Sequence, residues 1–172
     1  MRTVAHYNKE FIEKVIRACD LCFVAMADEN GIPYILPMNF GYKDDTVYLH
    51  SAPTGKKIDI LNQNRNVSIT FTTDSELVYQ HKQVACSYRV RSTSVIISGK
   101  VEFIEDEEGK RKALNILMEN YSVDNFDYSK PAIRNVKVWK VKADTMTCRE
   151  FGAPAKKYKD SDPDIEFIME KK

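Results

Sequence analysis

The feature that most limits how this chain can fold is a series of short apolar runs joined by tight turns. The first two runs, 21–27 and 33–42, are separated by a segment that ends in Asn30-Gly31. Asn-Gly between two apolar runs is a strong signal for a β-hairpin. A third run, 46–50, follows after another turn. Short successive strands joined this way pair antiparallel, which favours a small barrel over a doubly wound parallel sheet.

The rest of the chain alternates between helical and strand-like patterns. Asn8 is a suitable N-cap for the first helix, because its side chain can accept a hydrogen bond from a free N–H group of the first turn. The pattern as a whole predicts a mainly β fold with helices, in the α+β class, with about six or seven strands. We predict helices over 8–19, 56–64 and 105–121, a short helix or turn from 129, and strands over 67–72 and 136–146. The segment 84–104 holds two further strand-like runs, or alternatively one long bent strand with Gly99 at the bend or a bulge.

Length and charge narrow the class of protein. A chain of 172 residues suits one domain, and we expect it to cover 1–152, followed by a charged tail over 153–172. The formal net charge of +1 lacks the basic excess of nucleic-acid binders. No apolar run approaches the roughly 18 residues that cross a bilayer, and the N-terminus has no secretory signal. We therefore expect a cytoplasmic protein that binds neither nucleic acid nor membranes.

The four cysteines do not form a disulfide framework in a chain of this length. Cys19 and Cys22 have the CxxC spacing, but a structural zinc site needs a second such pair, and Cys86 and Cys148 are isolated. The prediction is that Cys19 and Cys22 are buried structural thiols.

The segment 50–57 carries the clearest chemical signal. His50 ends a predicted strand, and Gly55-Lys56-Lys57 opens a predicted helix. The free N–H groups and positive end of a helix start favour an anion, and two lysines add charge, so a phosphate would fit there. Two alternatives remain open: a capped helix with solvated lysines, and a hydrogen-bonded structural role for His50.

The residues of four segments also match a known family. Residues 36–42 (Leu-Pro-Met-Asn-Phe-Gly-Tyr), 47–52 (Val-Tyr-Leu-His-Ser-Ala), 55–57 (Gly-Lys-Lys) and 94–101 (Ser-Val-Ile-Ile-Ser-Gly-Lys-Val) resemble the flavin-binding split β-barrel proteins. The similarity is greatest to the nitroimidazole-resistance branch, which is related to pyridoxamine 5′-phosphate oxidase. It covers most of 8–145.

The resemblance implies a six-stranded antiparallel split β-barrel with flanking helices. It also implies a homodimer with a flavin, FMN or alternatively FAD, in each of two clefts between the subunits. Residues 38–40 and 50–51 would lie at the flavin ring or ribityl chain, 55–57 at the phosphate, and 93–95 on a neighbouring strand. The implied cofactor-binding residues are Met38, Asn39, Phe40, His50, Ser51, Gly55, Lys56, Lys57, Thr93, Ser94, Val95 and, from the other subunit, Trp139.

The function implied is that of an FMN-dependent oxidoreductase, with nitroimidazole-type nitro groups as candidate substrates and NADH or NADPH as a candidate electron donor. His50 would be catalytic, donating a hydrogen bond or proton to the substrate. One alternative is a flavin-binding carrier or sensor without turnover. Another is a pyridoxamine 5′-phosphate oxidase-like enzyme, which the lack of an arginine–histidine pair near the C-terminus disfavours.

Overall fold

A computed structural model describes residues 2–153 of the chain. No helix in this part is long and apolar enough to cross a membrane. The described residues form ten strands and four α-helices: β1 (Arg2–His6), α1 (Lys9–Arg17), β2 (Cys22–Ala27), β3 (Pro33–Met38), β4 (Gly41–Lys43), β5 (Thr46–Ser51), α2 (Lys56–Gln63), β6 (Asn66–Thr72), β7 (Glu76–Val78), β8 (Arg89–Ile104), α3 (Glu107–Met118), α4 (Lys130–Arg134), β9 (Lys137–Lys142) and β10 (Thr145–Ala153).

The strands form one antiparallel sheet that curls into a half-barrel. The main path runs β3-β2-β6-β8-β9-β5-β4, while β10 pairs with β8 and β1, and β7 pairs with β8. The α+β class and the antiparallel pairing predicted from the sequence are confirmed. The strand count is higher than the six expected, because several short strands pair at the edges of the central sheet.

The long strand β8 joins the two halves of the sheet, and Gly99 marks the place where it changes partners. Gly99 pairs with Val67 of β6, whereas Val101 pairs with Val141 of β9. A Cβ at Gly99 would collide with the carbonyl oxygen of Lys142. The predicted bend is therefore at Gly99, and the close approach of β9 explains why the position has no side chain.

Some predicted boundaries are wrong. The run 33–42 is divided into β3 and β4, and the run 136–146 is divided into β9 and the start of β10, which pair with successive parts of β8. The N-terminus is not frayed: β1 pairs with β10, and His6 Nε2 lies 3.1 Å from Glu150 Oε2. The partners of β1 lie at the opposite end of the described chain, so no local pattern indicates it.

The main core fills the concave side of the half-barrel. Its largest fully buried side chains include Trp139, Phe40 and Phe71. Cys19 and Cys22 are also buried, and their thiols donate to backbone carbonyls of Val15 and Met38 at 3.3 and 3.5 Å. Burial raises the pKa of Cys22 to about 12, so its thiol stays protonated. The prediction of buried structural thiols is confirmed.

A second, smaller apolar cluster lies where α3 and α4 cover the other side of the β9-β5-β4 sheet. It contains Leu114 from α3, Ile133 from α4 and Val138 from β9. Lys110 of α3 is only 7% exposed, and its ammonium donates to the carbonyls of Ile133 and Val136 at 3.3 and 2.9 Å. These two bonds tie the end of α4 and the start of β9 to α3.

Gly41 is required by the packing of α3 against β4. An added Cβ would lie 2.5 Å from the Cα of Leu117 and 2.6 Å from the carbonyl oxygen of Ile116. We expect Gly41→Ala to lower the free energy of unfolding by at least about 3 kcal/mol, because a backbone obstacle cannot move aside as a side chain can. Gly31→Ala is the control: that position is open and strained only by its positive φ, which costs about 1–2 kcal/mol. Urea unfolding of both variants checks this, and equal losses would contradict it.

Candidate functional site

The start of α2 is an uncapped helix N-terminus that faces open space. No side chain caps it, and the N–H groups of Ile58 and Asp59 already bond to the carbonyl of Gly55. Gly55 has a φ of +116°, and a Cβ built there would meet nothing within 4 Å. This leaves the N–H groups of Lys56 and Lys57 available to an anion, which the positive end of the helix would stabilise.

Two lysines at this helix start leave their charges uncompensated. Lys56 is exposed and holds its ammonium 4.8 Å from the ring centre of Tyr34 on β3, while Lys57 is half-buried. Within residues 2–153 neither has a carboxylate within 4 Å, in contrast to Lys137, whose ammonium lies 2.6 Å from Glu105. Both ammonium groups are therefore available to an anionic ligand.

His50 lies on the side of β5 that faces away from the main core. It pairs with Val138 of β9, and its neighbour Leu49 points into the core. Its Nδ1 is buried and has no hydrogen-bond partner among the described residues. A buried polar atom without a partner is costly, so this nitrogen is a candidate contact for a bound molecule.

The environment of His50 favours the neutral imidazole. Burial, and to a lesser degree the positive charge of Lys57, holds the pKa of His50 below its usual value. At neutral pH the ring can therefore donate one hydrogen bond and accept another. Because the pKa of His50 is lower in the folded than in the unfolded protein, its neutral ring contributes to the free energy of unfolding above about pH 6.5. That contribution is lost as the pH falls through the folded pKa.

An NMR titration should show this directly. The imidazole of His50 should titrate with a midpoint below about 6.5, and Lys57→Gln should raise that midpoint by removing the repelling charge. A midpoint of His50 at or above 6.5 that does not respond to Lys57→Gln would contradict this description of the site.

Ser51 completes this group of residues at the end of β5. It is buried, and its hydroxyl donates to the carbonyl of Ala52 at 2.9 Å, so its oxygen can still accept a hydrogen bond. In the ladder it lies opposite Lys137. His50, Ser51, Gly55, Lys56 and Lys57 thus lie on one short stretch of chain from the end of β5 to the first turn of α2.

Four of the residues expected to contact a cofactor have side chains that lie in the core of the single chain. Phe40, Val95 and Trp139 are 0% exposed within a single chain, and Met38 is almost fully buried. The ring of Phe40 packs edge-on against Phe71 at 4.8 Å. A molecule lying on the surface of the single chain would not touch these four side chains. Their contact with a cofactor, including that of Trp139 with one held by a second subunit, stays a prediction.

The remaining expected contacts are accessible and lie on the sheet. Asn39 is exposed between β3 and β4, and Ser94 is half-buried on the opposite side of β8 from Val95. Thr93 is half-buried too, and its backbone N–H and carbonyl bond to Thr73. None of these three residues belongs to the segment that runs from the end of β5 to the first turn of α2.

Sequence reasoning missed two aromatic residues that organise this region. Tyr34 lies beneath the ammonium of Lys56. Tyr121 accepts from the backbone N–H of Phe40 at 3.0 Å and donates to the carbonyl of Asp20 at 2.8 Å. The partners of Tyr121 are 81 and 101 residues away along the chain, so no local pattern could reveal its role.

The convex side of the sheet carries an apolar surface, which we call the outer face. It consists of the outward positions of β3, β2, β6, β8 and β10. Phe23, Ile35 and Ile96 on this face are between 42% and 63% exposed. Register places Phe23 beside Thr70, and Thr70 beside Ile96, so hydroxyl-bearing side chains of β6 lie between these apolar residues.

Comparison with known proteins gives the family context. Residues 8–150 match the model of a family described as pyridoxamine 5′-phosphate oxidase. A crystal structure of a candidate 5-nitroimidazole antibiotic resistance protein from Bacteroides thetaiotaomicron is 54% identical, with 87% of each chain covered and a TM-score of 0.79. No curated protein matches the chain.

More distant structures share the fold. The flavocytochrome Anf3 from Azotobacter vinelandii is 22% identical, covering 87% of this chain and 70% of that one, with a TM-score of 0.75. A protein from Mycobacterium smegmatis that binds FAD and heme is 16% identical, covering 88% and 76%, with a TM-score of 0.77. At these identities the likeness is one of fold alone.

Proposed function

The chain belongs to the pyridoxamine 5′-phosphate oxidase family, and we propose that it is a flavin-binding oxidoreductase that holds FMN by its phosphate at the start of α2. The observation that carries this proposal is the uncapped helix N-terminus with two lysines that form no ion pair among residues 2–153. FAD has the same first phosphate, so the same contacts would serve either nucleotide.

The residues present fit a phosphate-bearing planar cofactor. The phosphate would accept from the backbone N–H groups and the side-chain ammonium groups of Lys56 and Lys57, each as a charge-assisted hydrogen bond. The buried, unpartnered Nδ1 of His50 lies beside this segment and would gain a partner from a bound ring or substrate. When bound, a flavin would supply the hydride chemistry, and the protein would supply orientation and electrostatics.

His50 would act on the substrate through a hydrogen bond. Its neutral ring can donate an N–H to an acceptor oxygen, and the oxygens of a nitro group are such acceptors. The relative at 54% identity is described as a candidate 5-nitroimidazole resistance protein, which supports nitroimidazole-type nitro groups as the substrate class. NADH or NADPH is the proposed electron donor.

A homodimer would complete the proposed site. The outer face exposes the large apolar side chains of Phe23, Ile35 and Ile96, which a partner subunit would cover. Two-fold dimers are the commonest oligomers, and they bury the same patch of both subunits. The flavin would lie at the edge of this interface.

A second candidate function is a flavin carrier or sensor without turnover. The lowered pKa of His50 favours it, because a neutral imidazole is a weaker proton donor than an imidazolium. Steady-state oxidation of NADH or NADPH with a nitroimidazole acceptor separates the two. Turnover supports the oxidoreductase, whereas a flavin-loaded protein without turnover supports the carrier. Oxidation of pyridoxamine 5′-phosphate in a parallel assay would instead indicate the enzyme for which the family is named.

A further inference from the structure

The segment that joins β3 to β4, residues 38–40, is anchored on both sides and exposes only its middle residue. Met38 is almost fully buried and pairs with Cys22 of β2, whose thiol also donates to the Met38 carbonyl at 3.5 Å. Phe40 is fully buried in the main core. Asn39 is exposed between them. The side chain of Asn39 is therefore presented at the surface by a backbone that is fixed before and after it.

The hydroxyl of Tyr121 provides the second of these anchors. It accepts from the backbone N–H of Phe40 at 3.0 Å and donates to the carbonyl of Asp20 at 2.8 Å. The turn after α3 sets the place of Tyr121, because its own backbone N–H bonds to the carbonyl of Met118 at 2.8 Å. One hydroxyl thus links the segment 38–40 to the residues before β2 and to the end of α3.

Asn39 and His50 lie at the same end of the β4–β5 ladder. The last pair of that ladder joins Gly41 to Tyr48. Asn39 precedes Gly41 by two residues and His50 follows Tyr48 by two residues, so both lie just beyond this pair. Nδ1 of His50 is buried and has no hydrogen-bond partner among the described residues. Two side chains that can each donate and accept a hydrogen bond are therefore brought to one end of the ladder.

We propose that Tyr121 is a positioning residue of the flavin site: through the backbone of Phe40 it holds Asn39 at the His50 end of β5, where the Asn39 amide hydrogen-bonds the flavin ring. This inference rests on the proposed function and adds to it the residue that prepares the site. A carboxamide has both donor and acceptor groups, which match the carbonyl oxygens and the N–H of a flavin ring. A side chain held in place before the ligand arrives loses less conformational entropy on binding.

A purely structural role of Tyr121 has a different consequence. The Phe40 N–H belongs to a fully buried residue, so losing its partner costs stability in any case. If the role ended there, the remaining folded protein would bind a flavin as tightly as the parent does. The positioning role requires in addition that the effect of Tyr121 on affinity depends on the Asn39 side chain. A double-mutant cycle on these two residues measures that dependence.

The test is the dissociation constant of FMN, measured by fluorescence titration at a temperature at which every variant is folded. Tyr121→Phe removes only the hydroxyl and should weaken FMN binding about three- to tenfold, the range typical of one neutral hydrogen bond. Asn39→Ala should weaken it to a similar extent. Adding Tyr121→Phe to Asn39→Ala should weaken it less than about twofold further. Riboflavin should show the same changes, because the phosphate takes no part in this contact.

Two variants serve as matched controls. The hydroxyl of Tyr128 is buried without a hydrogen-bond partner in the described part of the chain, so Tyr128→Phe should leave FMN affinity unchanged. Asn8→Ala removes the N-cap of α1 and should lower the melting temperature without weakening FMN binding. The visible absorbance bands of bound FMN report on contacts to the ring. They should shift in Tyr121→Phe and Asn39→Ala and stay unchanged in both controls.

A measurement without flavin separates this inference from the proposed function. Amide hydrogen exchange at Phe40 in the flavin-free protein should be faster in Tyr121→Phe than in the parent, and equal rates would overturn the anchor. Parental FMN affinity in Tyr121→Phe, or additive losses in the double variant, would overturn the positioning role and leave the proposed function standing. A parent protein that binds neither FMN nor riboflavin would refute the proposed function, and the role of Asn39 with it.

Discussion

Replacing Lys56 and Lys57 together by alanine should weaken FMN binding by roughly 10²- to 10⁴-fold. Each charge-assisted contact to a phosphate is typically worth about 1.5–3 kcal/mol, and each 1.4 kcal/mol corresponds to about a factor of ten in affinity. Neither lysine has a carboxylate within 4 Å in residues 2–153, so removing them leaves no unpaired acidic partner behind. Fluorescence titration with FMN measures the change.

Two controls isolate the phosphate contact. Riboflavin lacks the phosphate, so its affinity should be nearly the same for the parent and the double variant. Lys43→Ala with Lys100→Ala removes the same charge from two exposed positions outside α2 and should leave FMN affinity unchanged. FMN affinity that is unchanged in the Lys56/Lys57 variant, or that falls equally in both double variants, would remove the phosphate assignment.

Changing His50 to alanine should slow reduction of a nitroimidazole acceptor at least about tenfold while leaving flavin content and melting temperature near those of the parent. A positioned acid, base or hydrogen-bond donor typically contributes about 10²–10⁴-fold. The prediction follows from the buried Nδ1 without a partner and from the position of His50 beside the start of α2. His50→Gln, which retains a side-chain donor and acceptor, should recover part of the rate.

The alternatives give different results. If His50 is only structural, His50→Ala should lower the melting temperature while the remaining folded protein reduces substrate at the normal rate. If it only contacts the cofactor, flavin content should fall and the rate per bound flavin should not change. Either result would exclude a direct role of His50 on the substrate.

The parts of the fold that sequence could predict depend on local signals. Gly31 adopts the positive φ of a hairpin turn, and the Asp28 side chain accepts from the N–H groups of Asn30 and Ile32, so the turn between β2 and β3 is determined within five residues. Asn8 caps α1 by accepting from the N–H of Phe11, as its position predicts. By contrast, β1 and β7 are short edge strands, and β1 pairs with residues at the far end of the described chain.

The same distinction applies to the candidate site. The start of α2 could be predicted because glycine, two lysines and the helix lie on adjacent positions. The resemblance identified Phe40, Val95 and Trp139 but did not indicate where their side chains point. In the structure, all three side chains are buried in the core. The role of Tyr34 depends on the contact of β3 with α2, and that of Tyr121 depends on the chain after α3 reaching Phe40. Ala153 is the last described residue, so the rest of the predicted tail, 154–172, lies outside the described part of the chain.

The central claim is that this chain binds a flavin, and the most direct measurement is the visible absorbance of the purified protein, before and after addition of FMN and removal of the excess. We expect the two-band spectrum of a bound flavin, and mass analysis of the molecule released by heat should identify FMN or FAD. A protein that is colourless as purified and that retains no FMN after incubation and gel filtration would contradict the account.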